Sequence, residues 1–244
     1  NNVQFTLSTE GTNTVEYKST DNAGNVETIK SSTIKIDKTA PTTSISLSGT
    51  QGQNGWYTSE VTVTLTASDG TGSGVANISY RINGGQWQTY NNNVQFTLST
   101  EGTNRVEYKS TDNAGNVATI KSETIKIDKT APTTSASAKK QDGTNYNWGD
   151  WVNQAVIVTF DCNDATAGCN STWYDINKGW TKMTSWPFTV TFDSPFYVDS
   201  TLQYYSLDNA GNQENTITKY VKIDKIPPTT SISLSGTQGQ NGWY

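Results

Sequence analysis

From Val61 onward, apolar side chains fall on every second position, as Val61, Val63, Leu65 and Ala67, with a threonine between each pair. A period of two places one set of side chains on one face of an extended chain, which predicts a half-buried strand. The same alternation recurs at Val94, Phe96 and Leu98, and again at Val106 and Tyr108. Further extended segments are expected at Ser44–Leu47, Val75–Ile82, around Trp87, and at Ile120–Ile127. That makes about seven strands between residues 39 and 129, separated by Gly- and Asn-rich turns. Short strands at regular spacing, each with one apolar face, predict two sheets packed face to face.

The pattern repeats. Residues 1–44 match residues 92–135 at a constant offset of 91, with three differences: Thr14/Arg105, Glu27/Ala118 and Ser32/Glu123. Residues 41–57 recur unchanged as 228–244. Val156, Val158, Phe160 and Cys162 sit 95 residues after Val61, Val63, Leu65 and Ala67, so a diverged copy keeps the inward phase. The expected organisation is therefore a C-terminal half-repeat over 1–38, an intact domain over 39–129, a second over 130–225, and the start of another over 226–244. Internal repetition of this kind reads as a segment of a longer array. Pro-Thr-Thr at 41–43, 132–134 and 228–230 follows each closing Ile-Asp-Lys. A proline there lacks a ladder donor and stiffens a short connection, so a linear array of serial domains is expected, each adding on the order of 35–45 Å.

Composition narrows the function. Apolar residues are 32% of the chain and charged ones 16%, with Thr, Ser, Asn and Gly supplying much of the rest, which suits strands and tight turns and not a solvated tail. The net charge of −5 offers phosphate backbones no cationic stripe, so no nucleic-acid partner is expected. No apolar run is long enough to span a bilayer as a helix. The chain contains no His, which removes Ser-His-Asp, Cys-His and His-ligated metal chemistry together.

The stretch "EGTNRVEYKSTDNAGNVATIKSETIKIDKTAPTT" resembles the Ig-like repeats of large bacterial and archaeal surface adhesins, including repeats labelled after a leptospiral outer-membrane protein. Its signature, Asp-Asn-Ala-Gly-Asn followed by Ile-Asp-Lys-x-x-Pro, occurs at 21–41, 112–132 and 208–228. The resemblance implies tandem immunoglobulin-like β-sandwiches on the outside of a microbial cell.

Three aspartate positions recur with the repeat. They are the turn position (Asp21, Asp112, Asp208), the closing position (Asp37, Asp128, Asp224) and a loop position between the second and third strands (Asp69, Asp164). In a seven-strand sandwich the loops after strands two and six lie at the pole where the chain enters. Asp37 is therefore expected near Asp69 and Asp112, and Asp128 near Asp164 and Asp208. Ca²⁺ takes six to eight oxygen ligands and would neutralise such clusters. The resemblance implies the same, since related adhesin repeats bind calcium at comparable junctions. The plainer reading is a set of hairpin turns in which Asp and Asn satisfy local backbone groups.

Aligning "ASDGTGSGV" with "CNDATAGC" places Cys162 at Ala67 and Cys169 at Val75. A disulfide is expected there if the chain is exported, against the alternative of two free thiols. Five of the eight tryptophans fall at 148, 151, 173, 180 and 186, and Trp148, Trp173 and Trp180 are candidates for a ligand platform. Trp151 aligns with Trp56, which suggests a shared structural plug. Asn77 and Asn170 lie in glycosylation sequons. These features together predict a non-enzymatic extracellular spacer, stalk or filament segment. Its expected partners are neighbouring repeats, further copies of itself in a fibre, and surface glycans. The second reading is a carbohydrate-binding adhesin module or an accessory domain of a secreted enzyme.

Overall fold

A computed structural model describes residues 3–91, 94–195 and 198–243. Residues 1, 2 and 244, which fall inside the expected half-repeats, and 92, 93, 196 and 197 lie outside the described set. Two compact units emerge. The first comprises Asn1–Ala131 with Ala165–Gly168 and Asn209–Asn212, and the second comprises Pro132–Asp164, Cys169–Asp208 and Gln213–Tyr244.

The first unit opens with a hairpin of β1 (Gly11–Tyr17) and β2 (Lys30–Ile36), paired from Gly11↔Ile36 to Tyr17↔Lys30. A sandwich follows. One sheet holds β3 (Thr42–Ser48), β5 (Val61–Ser68) and β8 (Phe96–Leu98), in the order β3-β5-β8. The other holds β4 (Trp56–Tyr57), β6 (Val75–Ile82), β7 (Gln88–Tyr90), β9 (Gly102–Asp112) and β10 (Lys121–Ile127), in the order β4-β10-β9-β6-β7.

The alternation sets the core. Val61, Val63, Leu65, Ile78, Leu98, Val106, Ile125 and Ile127 are buried between the sheets, and burying each is worth about 1.5–3 kcal/mol. One buried polar pair crosses the gap: the hydroxyls of Thr43 and Ser110 meet at 2.7 Å. Lys121 closes the same corner, its Nζ donating to the carbonyl of Thr43 at 2.7 Å.

The second unit repeats this architecture. β11 (Thr133–Lys140), β13 (Val156–Asn163) and β16 (Phe188–Phe192) form one sheet. β12 (Trp151–Val152), β18 (Ile217–Ile223), β17 (Val198–Asp208), β14 (Cys169–Asp175) and β15 (Thr181–Met183) form the other, in that order. Its core is built on Val156, Val158, Phe160, Leu202, Val221 and Ile223, with Phe160 stacked on Phe188 at 4.8 Å. Cys162 and Cys169 are joined in a disulfide with their Cα atoms 6.3 Å apart.

Several strand expectations need correction. Among the described residues each sandwich has eight strands, because two-residue β4 and β12 cross over to pair in parallel with the last strand. Two residues are too few to carry a period. Val94 does not join the inward set: it is 59% exposed, its N–H donates to the Asn91 carbonyl, and the strand starts at Phe96. Ile120 likewise precedes β10 and is exposed. Trp151 is not a plug. It is 48% exposed, with the Lys222 ammonium 5.6 Å from its ring centre, as Lys126 stands over Trp56 at 5.7 Å.

The hairpin β1–β2 shows what an opposing sheet contributes. Tyr17 and Ile34 are 49% and 36% exposed, whereas their counterparts Tyr108 and Ile125 in the complete sandwich are 5% and 1% exposed. Sequence and register are nearly the same in both. The difference is that no opposing sheet covers β1–β2 among the described residues.

Candidate metal centre at the head of the first domain

Three chain segments meet at one end of the first sandwich. They are residues 37–41 arriving from the hairpin, the β5–β6 loop at 69–74, and the β9–β10 turn at 112–117. Each brings one aspartate. Asp37, Asp69 and Asp112 offer carboxylate oxygens within 4.8 Å of one another.

The β9–β10 turn explains itself locally. Asp112 Oδ1 accepts the N–H of Asn116 at 2.8 Å, and Oδ2 accepts its side-chain amide at the same distance. Gly115 takes φ +95°, which an L side chain rarely adopts. Asp21 and Asn25 form the same turn in the hairpin, with bonds of 2.8 and 2.7 Å. The plainer reading of Asp-Asn-Ala-Gly-Asn is thus part of the structure, and it fixes where the carboxylate points. Asp112 is 2% exposed.

Asn113 ties this turn to the neighbouring loop, donating to the carbonyls of Ser73 and Gly74 at 2.9 Å. Asn116 reaches further, its amide donating to the Asp37 carbonyl at 3.2 Å. The loop then grips the incoming carboxylate: Ser73 N–H donates to Asp37 Oδ2 at 2.6 Å. The hydrogen bonds from the Ser73 side chain and backbone, with a smaller one from the Thr39 N–H, hold the Asp37 carboxyl below its ordinary pKa. Gly74 N–H donates to Asp69 Oδ2 at 2.7 Å.

Two details bear on whether a cation fits. The other oxygen of Asp69, Oδ1, is buried and accepts no hydrogen bond. A buried carboxylate oxygen without a partner is costly unless something satisfies it. Gly72 supplies the second detail. A Cβ there would lie 2.5 Å from Asp69 Oδ2 and 2.9 Å from Asp37 Oδ2, so the glycine leaves both carboxylates their space. The site opens into a cleft of about 1050 Å³ lined in part by Glu10, Asp37, Asp69 and Ser73. Three clustered carboxylates, one with an unsatisfied oxygen, form a hard-oxygen donor set of the kind a calcium ion takes.

Of the second expected set, Asp128 lies in the first unit and Asp164 and Asp208 in the second. Asp128 is fully buried and accepts the N–H groups of Thr130 at 3.2 Å and of Ala167 at 3.0 Å. Asp164 and Asp208 offer oxygens within 4.8 Å of each other. Asp224, the last closing position, accepts the N–H of Ile226 at 2.9 Å.

Two supporting residues are absent from the sequence candidates. Glu10 accepts the Lys38 N–H at 2.8 Å and the Thr39 hydroxyl at 3.0 Å. Glu101 does the same for Lys129 and Thr130, at 2.8 and 3.0 Å. Their recurrence at the offset of 91 was the available signal.

The candidate platform residues separate. Trp148 packs against the core of the second domain, edge-on to Tyr146. Trp173 and Trp180 belong to the outer side of the five-stranded sheet, Trp173 beneath Lys182 and Trp180 against Tyr205. Asn77 is exposed on β6 and Asn170 half-buried on β14.

The fold and site together define a class: tandem β-sandwiches of immunoglobulin-like type, with an acidic joint ahead of the first. Residues 39–129 match the family described as bacterial Ig-like domain. No curated protein matches the chain in sequence. It is similar to a solved structure from a 1.5-MDa bacterial ice-binding adhesin, with 16% identity, 88% of this chain and 75% of that one covered, and a TM-score of 0.36. It is also similar to the D00-D0 domain of intimin, with 15% identity, 71% and 98% coverage, and a TM-score of 0.34. For the fibronectin(III)-like modules of Clostridium thermocellum CbhA the figures are 10% identity, 78% and 100% coverage, and a TM-score of 0.34.

Proposed function

We propose that the chain is a non-enzymatic spacer segment of a bacterial surface protein, and that calcium closes the joint between the half-repeat and the first domain. The observation that carries this reading is the buried, unpartnered Oδ1 of Asp69 beside the carboxylates of Asp37 and Asp112. Asp37 belongs to the arriving segment and Asp69 and Asp112 to the domain, so an ion held by all three ties one to the other. Calcium would add the neutralising charge that three clustered carboxylates lack, and the Asp69 oxygen would gain a partner. An extracellular location is supported by the bacterial Ig-like family and by the disulfide, which persists in oxidising compartments.

The test is thermal unfolding of the intact chain in chelator and in millimolar calcium. A ligand that binds only the folded state raises the melting temperature by mass action. The proposal predicts a rise with calcium that Asp69→Asn reduces. Identical melting curves with and without calcium overturn it.

A further inference from the structure

The outer face of the second domain's five-stranded sheet differs in kind from the same face of the first. Leu202, Tyr204 and Ser206 of β17 and Val221 and Ile223 of β18 are buried. Strand alternation therefore turns Asp199, Thr201, Gln203 and Tyr205 outward, with Tyr220 and Lys222 beside them. The register sets Asp199 opposite Lys222 and Thr201 opposite Tyr220. Near one end these side chains line a groove of about 470 Å³ with Gly149, whose N–H is bonded to the Tyr220 carbonyl at 2.9 Å. Tyr220 is 53% exposed.

Matching the strands of the two domains shows what has changed. Tyr205 and Tyr220 stand where the first domain has Lys109 and Thr124, and Trp173 stands where it has Ser79. Trp180 corresponds to Trp87. In the first domain the Trp87 ring is covered by two cations, Arg81 at 4.9 Å and Lys109 at 4.7 Å. In the second domain Asp175 and Tyr205 occupy those two positions, and Tyr205 meets Trp180 edge-on at 4.9 Å. The cationic cover has been replaced by a second aromatic ring. None of these rings belongs to the core cluster of the domain.

We propose that this face binds a neutral polysaccharide. Aromatic rings offer flat apolar surfaces to the C–H faces of sugar rings. Asp199 as acceptor, Lys222 as donor and the Thr201 hydroxyl as both match a ring of hydroxyl groups. Charge decides against other occupants. Asp199 and Lys222 oppose each other in register, which leaves the groove balanced, and the chain as a whole carries −5, which repels nucleic acid and acidic glycans. Length decides against a single sugar. Thr201, beside Tyr220, and Tyr205, beside Trp180, are four residues apart on one strand, about 13 Å at 3.3 Å per residue, which asks for an extended oligosaccharide.

Affinity electrophoresis of the intact chain through gels containing laminarin, hydroxyethylcellulose, galactomannan or soluble starch tests this, with alginate and polygalacturonate as acidic comparisons. Retardation is expected in at least one neutral gel. Tyr220→Ala and Tyr205→Ala should each weaken it by about tenfold or more, the scale expected when a central aromatic contact is lost. Trp87→Ala in the first domain should leave it unchanged. Circular dichroism of each variant establishes that the fold survives. Migration unaffected by every neutral polysaccharide, retardation by the acidic ones alone, or full retardation of both tyrosine variants overturns the proposal.

Discussion

Ser73 donates its backbone N–H to Asp37, a carboxylate 36 residues earlier in the chain, at 2.6 Å. A loop of the domain thereby holds the segment that leads into it, before any ion is considered. The acidic joint is a hydrogen-bonded structure first, and the carboxylates of Asp37 and Asp69 are pre-positioned by the backbone N–H groups of Ser73 and Gly74.

Gly72→Ala tests that positioning. Its Cβ would meet Asp69 Oδ2 at 2.5 Å and Asp37 Oδ2 at 2.9 Å, and both carboxylates are already held by backbone N–H groups. Forcing them apart should cost about 1–3 kcal/mol in chemical denaturation, the usual range for overpacking, and should weaken calcium binding. Gly70→Ala is the control for an open position, since nothing lies near its added Cβ, although its positive φ of +57° brings a strain of its own.

Ser110→Ala should destabilise the first domain by about 1–3 kcal/mol, measured by urea unfolding, because it leaves the buried Thr43 hydroxyl without its 2.7 Å partner. The double variant that also replaces Thr43 with Val should recover part of the loss. Removing both polar groups costs less than orphaning one.

Asp142 gives a pH signature in the second domain. Hydrogen bonds from the Thr144 hydroxyl, the Gln154 amide and the Thr144 N–H lower its pKa from 3.8 to about 2. A depressed carboxylate pKa stabilises the fold at pH values above the unfolded pKa. That contribution is lost as pH falls from 3.8 through about 2. The melting temperature of Asp142→Asn should lie below that of the native chain at pH 6, and the gap should close in that acid window.

Opening the disulfide by Cys162→Ser with Cys169→Ser should lower stability by about 2 kcal/mol without unfolding the second domain, since the closed loop is short. The first domain, with Ala67 and Val75 at the equivalent places, folds on the same topology without the bond.

Much of this architecture was readable from alternation and repetition. Val61, Val63 and Leu65 announce both their strand and its buried face, and the offset copies confirm the phase at Val156, Val158 and Phe160. The periodic signal fails at its edges. Val94 continues the alternation on paper, yet its N–H goes to the Asn91 carbonyl and its side chain is exposed, and β4 is too short to show any pattern. The three aspartates were legible because they recur with the repeat. Their supports were not, because Ser73 and Gly74 act through backbone N–H groups and Gly72 acts by having no side chain. The aromatic face was partly legible: tryptophan counts pointed to it, but only the packing separates exposed Trp180 from core-packed Trp148.

The most direct measurement is calorimetric titration of calcium into the intact chain and into Asp37→Ala. The joint described here predicts binding heat in the native chain and the loss of a class of sites in the variant, whose fold otherwise persists. The same isotherm for both, or no heat in either, would contradict a calcium-closed joint at Asp37, Asp69 and Asp112.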